Sequence, residues 1–467
     1  MTNAFGAMYA ASPVWVQNAL LSAYGLRLRF LRYGRLQRAY LGELRRTQWL
    51  SEQQLRALQL ERLNTLVRHA YDTVPLYQSR RKRDHPFTEL EQLQELPVLT
   101  KDELRAPRNI VTSALWGSRR LQEVHTGGTT GKPLTIYCDR ATLQRNYAFF
   151  ARLREWAGVP GGGRARVATF AGRTIVSPGQ TRPPFWRFNA AANTLLFSSY
   201  HIAPDTLPYY VDRLRTFDPD LIDSYPSSLA PIARHVLSQG ISDLRPRAII
   251  TSSETLDSDA RRIVETALGC RVFDHYGAAE MAALVTQCEV GTYHVNPEFG
   301  IVEVLRDGRA ARPGEVGEIV ATGFVNPVMP LIRYATGDLA EQAAGGCTCG
   351  RRAFPTLARI EGRTDDVLVT PEGRWIGRLD PIFKGVSSLH ETQIVQDRAD
   401  HVRVDVVPLA AFTNVERDAL VSALRHRLGP SMQIDVVQVS RIPRTAAGKF
   451  PAVVNLVRRH SRFARSC

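Results

Sequence analysis

Between residues 166 and 273 short apolar runs alternate with helical stretches, and nothing else in the chain constrains its fold as strongly. Arg166-Val-Ala-Thr-Phe170, Leu221-Ile222, Ala248-Ile-Ile-Thr251 and Arg271-Val-Phe273 read as strands bounded by Gly, Pro, Ser and Thr. Pro208 to Phe217, Ser228 to Gln239 and Ser258 to Leu268 read as helices falling between several of them. Because parallel strands need crossovers that pack back onto the sheet, this alternation predicts an α/β fold with layered α/β subdomains and a substantially parallel sheet. From Glu298 onward short strands with Gly-rich turns, such as Gly317-Glu-Ile-Val-Ala321, predict a β-rich subdomain. The last hundred residues read as a separate small α+β unit, with alternation over His401 to Val407 and Gln433 to Val439 and a helix over Asn414 to Leu428.

Residues 14 to 70 are rich in Leu, Arg, Ala and Gln, with apolar positions recurring at three and four residues, which predicts amphipathic helices. Two readings stand for this basic region: peripheral contact with an anionic membrane, or packing against the body with the arginines in water. Gln17, Asn18, Arg27 and Arg29 interrupt Val14 to Leu31 before the roughly 20 apolar residues a membrane span needs, so no span is expected. Met1 is not followed by a basic and then an apolar segment, so neither is a secretory leader. Six cysteines, at 138, 270, 288, 347, 349 and 467, are too few and too uneven for a disulfide framework and predict a reducing, cytoplasmic setting. Lys and Arg number 60 against 45 Asp and Glu, but they are scattered and lack the aromatic-plus-basic modules of nucleic-acid binders. Anionic small molecules such as ATP and coenzyme A fit this charge better than nucleic acid does.

The densest chemical signal is His125-Thr-Gly-Gly-Thr-Thr-Gly-Lys-Pro133. Gly127, Gly128 and Gly131 free the backbone to turn N–H groups toward an anion, Thr126, Thr129 and Thr130 add hydroxyls, and Lys132 adds charge. It is a phosphate cradle but not a Walker A loop, since Thr126 and Pro133 stand where Gly and Ser or Thr would be needed. In Phe273-Asp-His-Tyr-Gly-Ala-Ala-Glu280 the Tyr276 ring can cover a base, and the Glu280 carboxylate can hold Mg²⁺ against phosphate. Asp338, after a glycine turn in Arg333-Tyr-Ala-Thr-Gly-Asp-Leu339, can accept from two ribose hydroxyls. Gly362-Arg-Thr-Asp-Asp366 offers Arg363 to a phosphate or ribose, and Pro443-Arg-Thr-Ala-Ala-Gly-Lys449 presents one lysine, a residue type that loops normally leave solvated.

The order and spacing of these five motifs resemble the adenylate-forming superfamily of acyl-CoA synthetases, adenylation domains and luciferases. Leu66-Val-Arg-His-Ala-Tyr-Asp-Thr-Val-Pro-Leu-Tyr77, Leu96-Pro-Val-Leu-Thr-Lys101 and Cys347-Thr-Cys-Gly-Arg351 resemble its phenylacetate–CoA ligase branch, capsule-biosynthesis members included. The resemblance spans about 60 to 455. It implies a large domain over 61–364 and a small mobile lid over 365–467, and the apolar periodicity ahead of it gives a helical extension over 1–60. It further implies that Thr126 to Lys132 wrap the β- and γ-phosphates, that Ser253 and Glu254 border the adenine, that Tyr276 stacks on it, and that Gly277 lies in the nucleotide site. Glu280 would hold Mg²⁺, Asp338 the ribose and Arg363 the nucleotide, while Lys449 would neutralise charge as a carboxylate meets the α-phosphate. The implied reaction makes an acyl adenylate from ATP and a carboxylic acid, then passes the acyl group to a thiol, coenzyme A in most of this branch. An amine, a sugar or a carrier-protein thiol is the alternative acceptor, and a non-catalytic assembly role the alternative class. The chain would act as a monomer or homodimer.

Cys288, His294, Cys347 and Cys349 form a donor set common in structural zinc sites, and some members of the branch have similar positions. Phe170, Tyr200 and Tyr225 suit either an aryl-acid pocket or the core. Asp365 is the implied pivot of the lid. Asp365→Pro is therefore expected to spare acid-dependent pyrophosphate release and to slow thioester formation, measured separately; equal loss of both rates would reject the pivot.

Overall fold

The computed structural model describes residues 8–81, 84–126, 134–159, 165–177, 179–363, 368–371, 375–376, 389–408, 412–444 and 450–457. The longer helices are α1 (Val14–Arg32), α2 (Arg35–Thr47), α3 (Glu52–Thr73), α4 (Arg140–Trp156), α5 (Leu207–Phe217), α6 (Pro226–Ser238), α7 (Ser258–Leu268) and α8 (Asn414–Leu428). The first fifteen strands are β1 (Gln122–His125), β2 (Thr135–Cys138), β3 (Val167–Ala171), β4 (Trp186–Asn189), β5 (Thr194–Ser198), β6 (Leu221–Ser224), β7 (Ala248–Ser252), β8 (Val272–Gly277), β9 (Leu284–Gln287), β10 (Tyr293–Val295), β11 (Gly300–Arg306), β12 (Arg309–Ala310), β13 (Val316–Gly323), β14 (Leu331–Gln342) and β15 (Thr356–Arg363). The chain forms two units, Met1–Thr336 with Glu341–Arg359, and Gly337–Ala340 with Ile360–Cys467.

The expected parallel sheet is present: β5, β3, β6, β7 and β8 lie side by side and parallel, with β4 and β9 antiparallel at its two ends. Local chemistry sets the helices between its strands. Asp257 accepts from the N–H groups of Asp259 and Ala260 to start α7, which buries Ala260, Val264, Ala267 and Leu268 at helical spacing. Pro226 opens α6, where its missing N–H costs nothing. Phe170 and Phe197 stack at 4.5 Å and meet Tyr210, so Phe170 is a core residue and not a pocket wall.

The N-terminal helices pack on the body. A buried ion pair fixes α2 against α4: Arg152 meets Glu298 at 2.8 and 3.1 Å, with the two side chains 1% and 0% exposed. Asn296 Oδ1 and the Leu44 carbonyl take further Arg152 protons, while Thr47 donates to Glu298 at 2.6 Å. Burial works to raise the Glu298 carboxyl, but Arg152 and these donors hold it below the usual carboxylate range.

In the second unit, a four-stranded sheet has the order Gln433–Gln438, His401–Pro408, Leu389–Arg398, Val453–Asn455. Thr413 and Glu416 form a capping box at the start of α8, which buries Leu420, Leu424 and Leu428 with Val402, Val404 and Val406. This is the small α+β unit expected from the sequence.

Removing one partner of a buried pair strands the other charge in a dry site, at a cost of about 3–5 kcal/mol. Arg152→Met is expected to lower the thermal unfolding midpoint by several degrees. Arg152→Met/Glu298→Gln should recover part of the loss, and a single variant as stable as the parent would show the pair to be dispensable.

Candidate functional site

The parallel strands end where ligands bind in open α/β sheets, at their carboxyl edge. Strands β7 and β8 pair with Ser252 opposite His275. Ser253 and Glu254 follow β7, Tyr276 and Gly277 end β8, and Glu280 comes three residues later, so five of the expected residues leave the same edge of two neighbouring strands. Glu254 accepts from Ser227 N–H at 3.1 Å, at the start of α6. A Cβ at Gly277 would come within 3.2 Å of its cross-strand partner Leu284, which favours glycine there. Beneath the edge, buried Asp274 accepts from Thr251 at 2.6 Å and Tyr293 at 2.5 Å, and its N–H donates to Gln287. Burial pushes the Asp274 carboxyl up to about 6.

Glu280 is buried and accepts from the Tyr334 hydroxyl at 3.0 Å, which aims the carboxylate. Six non-glycine residues among those described have positive φ, and three flank the site: Ser253 at 70°, Met281 at 58° and Arg333 at 49°. Backbone in this region is costly unless its surroundings over-determine it. Arg333 is so held, by a two-pronged pair with Glu303 at 3.0 Å and bonds to the carbonyls of Gln94 and Leu96. Leu99 exchanges backbone bonds with the residues on either side of Tyr334. Tyr77 donates to Pro330 at 2.9 Å and accepts from Ile332, and His69 meets the Pro327 carbonyl at 2.8 Å. The segments 66–77 and 96–101 thus hold the start of β14, which carries Tyr334.

Thr126 closes the base of the glycine loop. Its N–H donates to the Leu134 carbonyl at 3.0 Å, and its hydroxyl accepts from Leu134 N–H at 2.9 Å. Leu134 shares a core cluster with Ala282, Ala283 and Tyr334, which brings that base to the Glu280 segment. Gly127, Gly128, Thr129, Thr130, Gly131, Lys132, Asp365, Lys449 and the Arg363 side chain lie outside the described residues. Asp338 is half-buried on β14 and, like the Arg363 backbone on β15, belongs to the second unit.

A second cluster joins Cys288, His294, Cys347 and Cys349, whose donor atoms all lie within 4.8 Å of one another. Cys288 Sγ is 3.6 Å from Cys347 Sγ, and Cys349 Sγ is 3.4 Å from His294 Nε2. Tetrahedral zinc with bonds of about 2.0–2.3 Å separates its donors by roughly 3.3–3.8 Å, the spacing of the Cys288–Cys347 and Cys349–His294 pairs. Burial, with Arg351 nearby, holds His294 down to about 4, which leaves its ring neutral. Arg351 pairs with Glu289 at 2.7 and 2.8 Å, stacks on Trp156 at 4.0 Å and donates to Gln48, so the cluster joins the ends of α2 and α4.

Residues 368–456 match the family described as the CapK C-terminal domain. The chain is 27% identical to Protein CapK of Staphylococcus aureus over 97% of this chain and 99% of that one. It is 29% identical to a phenylacetate-coenzyme A ligase of Pseudomonas putida over 68% and 72% of the two chains. The solved structure of 2-hydroxyisobutyryl-CoA ligase, in its postadenylation state with R3-HIB-AMP, shares the fold at a TM-score of 0.66 and 21% identity, covering 86% of this chain and 89% of that one. The chain is thus similar along most of its length to CapK and to the phenylacetate–CoA ligases, and it shares the fold of an acyl-CoA ligase. In this chain Tyr334 and Arg333 support the site without having been assigned a role from sequence. Both lie inside the Arg333 to Leu339 motif, but a tyrosine's partner more than fifty residues away leaves no local signal.

Proposed function

We propose that the chain activates a carboxylic acid with ATP and Mg²⁺ as an acyl adenylate and then transfers the acyl group to a thiol, that of coenzyme A. One observation carries the reading: Ser253, Glu254, Tyr276, Gly277 and Glu280 leave a single carboxyl edge of the parallel sheet, and the base of the glycine loop shares a core cluster with the segment after Glu280. A buried carboxylate steered by Tyr334 suits a divalent cation. Bound Mg²⁺ would neutralise phosphate charge. Thr126 and the loop through Lys132 would cradle the β- and γ-phosphates, Asp338 and Arg363 would hold the nucleotide, and Lys449 would be the cation of the first step.

In that step a carboxylate oxygen bonds to the α-phosphorus and the bond to pyrophosphate breaks. In the second a thiolate sulfur bonds to the acyl carbon, the carbon–oxygen bond to AMP breaks, and the thiol proton has gone to solvent. Fixed cations and oriented donors stabilise the charge that develops. An aryl or other apolar acid is supported by the name of the Pseudomonas putida relative and by half-buried Tyr200 and Tyr225. The match to Protein CapK along nearly the whole of both chains favours a second reading, in which an amine, a sugar or a carrier-protein thiol takes the acyl group.

We also propose that Cys288, His294, Cys347 and Cys349 hold a structural zinc ion, a site of thiolates that suits a reducing cytoplasm.

Pyrophosphate release with ATP, Mg²⁺ and a panel of aryl and fatty acids tests the enzyme. Acid-dependent release should fall about a hundredfold or more in Lys449→Ala and in Glu280→Gln. Stimulation by coenzyme A would select the thioester ligase over the second reading, and release indifferent to every acid would sink both. For the metal, protein purified without chelator should carry one zinc per chain by elemental analysis, and Cys288→Ser should lose it and melt lower. Only trace zinc in the parent would end that proposal.

A further inference from the structure

Helix α1 meets the body through half-buried Leu21 and Leu28 and through three polar side chains: Gln17 accepts from Arg187, Asn18 from Phe188 N–H at 2.9 Å and Ser22 from Ala190 N–H at 3.0 Å. Gly25 lies close against Asn189, where a Cβ would collide at 2.3 Å. A stripe on the side away from Gln17, Leu21 and Leu28 carries Trp15, Ala19, Leu26 and Phe30, with Ser22 at its edge, at helical spacing over about 22 Å. Trp15 is 72%, Leu26 62% and Phe30 64% exposed. A surface helix of a globular protein normally turns such a stripe toward the core.

The stretch of chain that carries the stripe has charge of one sign. Residues 1–42 contain no Asp or Glu, and they contain Arg27, Arg29, Arg32, Arg35 and Arg38. Arg27, Arg29, Arg35 and Arg38 are exposed, and exposed Arg140 lies over the Phe30 ring at 3.9 Å. A convex helix face with Trp and Phe on its crest and arginines beside it fits a plane that is apolar below its surface and anionic at it. Among the described residues no helix is long and apolar enough to cross a membrane, so the contact would be peripheral.

We propose that α1 docks the protein onto an anionic lipid surface, its axis in the plane of the interface, with Trp15, Leu26 and Phe30 inserted among the acyl chains and the neighbouring arginines on lipid phosphates. The stripe lies on the N-terminal helix, outside the residues assigned to the nucleotide, so docking is separable from catalysis.

Flotation of the full-length chain with phosphatidylcholine vesicles, with and without phosphatidylglycerol, tests this. The parent should partition onto the anionic vesicles, weaken as salt rises, and bind neutral vesicles at least about tenfold less. The exposed triple variant Trp15→Glu/Leu26→Glu/Phe30→Glu should lose about tenfold or more of the binding with an unchanged melting temperature. Arg27→Gln/Arg29→Gln should lose about fivefold per arginine. Absence of binding to anionic vesicles, binding retained in the triple variant, or equal binding to neutral vesicles would overturn the proposal. So would a dimer in light scattering that the triple variant disperses, since a second copy would then cover the stripe.

Discussion

The Arg152–Glu298 pair fixes how the N-terminal helices meet the α/β body. Two charges withdrawn from water cost several kcal/mol each, and their attraction offsets this only when the remaining donors and acceptors are also satisfied. Here Asn296, Thr47 and the Leu44 carbonyl complete that set, and with Arg152 they come from three stretches of chain distant in sequence. The pair can therefore form in one arrangement of α2, α4 and the 296–298 turn. That arrangement also brings Gln48 to Trp156 and Arg351, at the rim of the cysteine–histidine cluster.

Backbone strain is concentrated around the candidate site in a similar way. Ser253, Met281 and Arg333 take left-handed conformations next to Glu254, Glu280 and Tyr334. None would persist in an isolated peptide. Arg333 persists because its guanidinium is anchored on Glu303 and two carbonyls, and Met281 because it is buried in a core cluster with Phe299 and Leu284. The segments 66–77 and 96–101, which resemble the same family, meet this scaffold at β14. Their role is to hold β14 so that one hydroxyl reaches one carboxylate.

Helix α1 shows how far a periodic pattern can be read. Three-and-four spacing announces a helix whichever way it faces. Its direction comes from Gln17, Asn18 and Ser22, whose hydrogen bonds to the β4 region cannot be made with the helix rotated by half a turn.

The sequence by itself determined the α/β class, the bounds of α7 and α8, the separate C-terminal unit and the order of the nucleotide motifs, because these follow from local periodicity, caps and turn residues. It also named Cys288, His294, Cys347 and Cys349, from ligand chemistry together with the resemblance to the branch. Only the tertiary structure decided that these four donors converge, that Phe170 belongs to the core, that Tyr334 aims Glu280, and that the apolar stripe of α1 faces outward. Each of these depends on contacts between residues tens to hundreds of positions apart, and such contacts are set by packing and buried hydrogen bonds that no local pattern encodes.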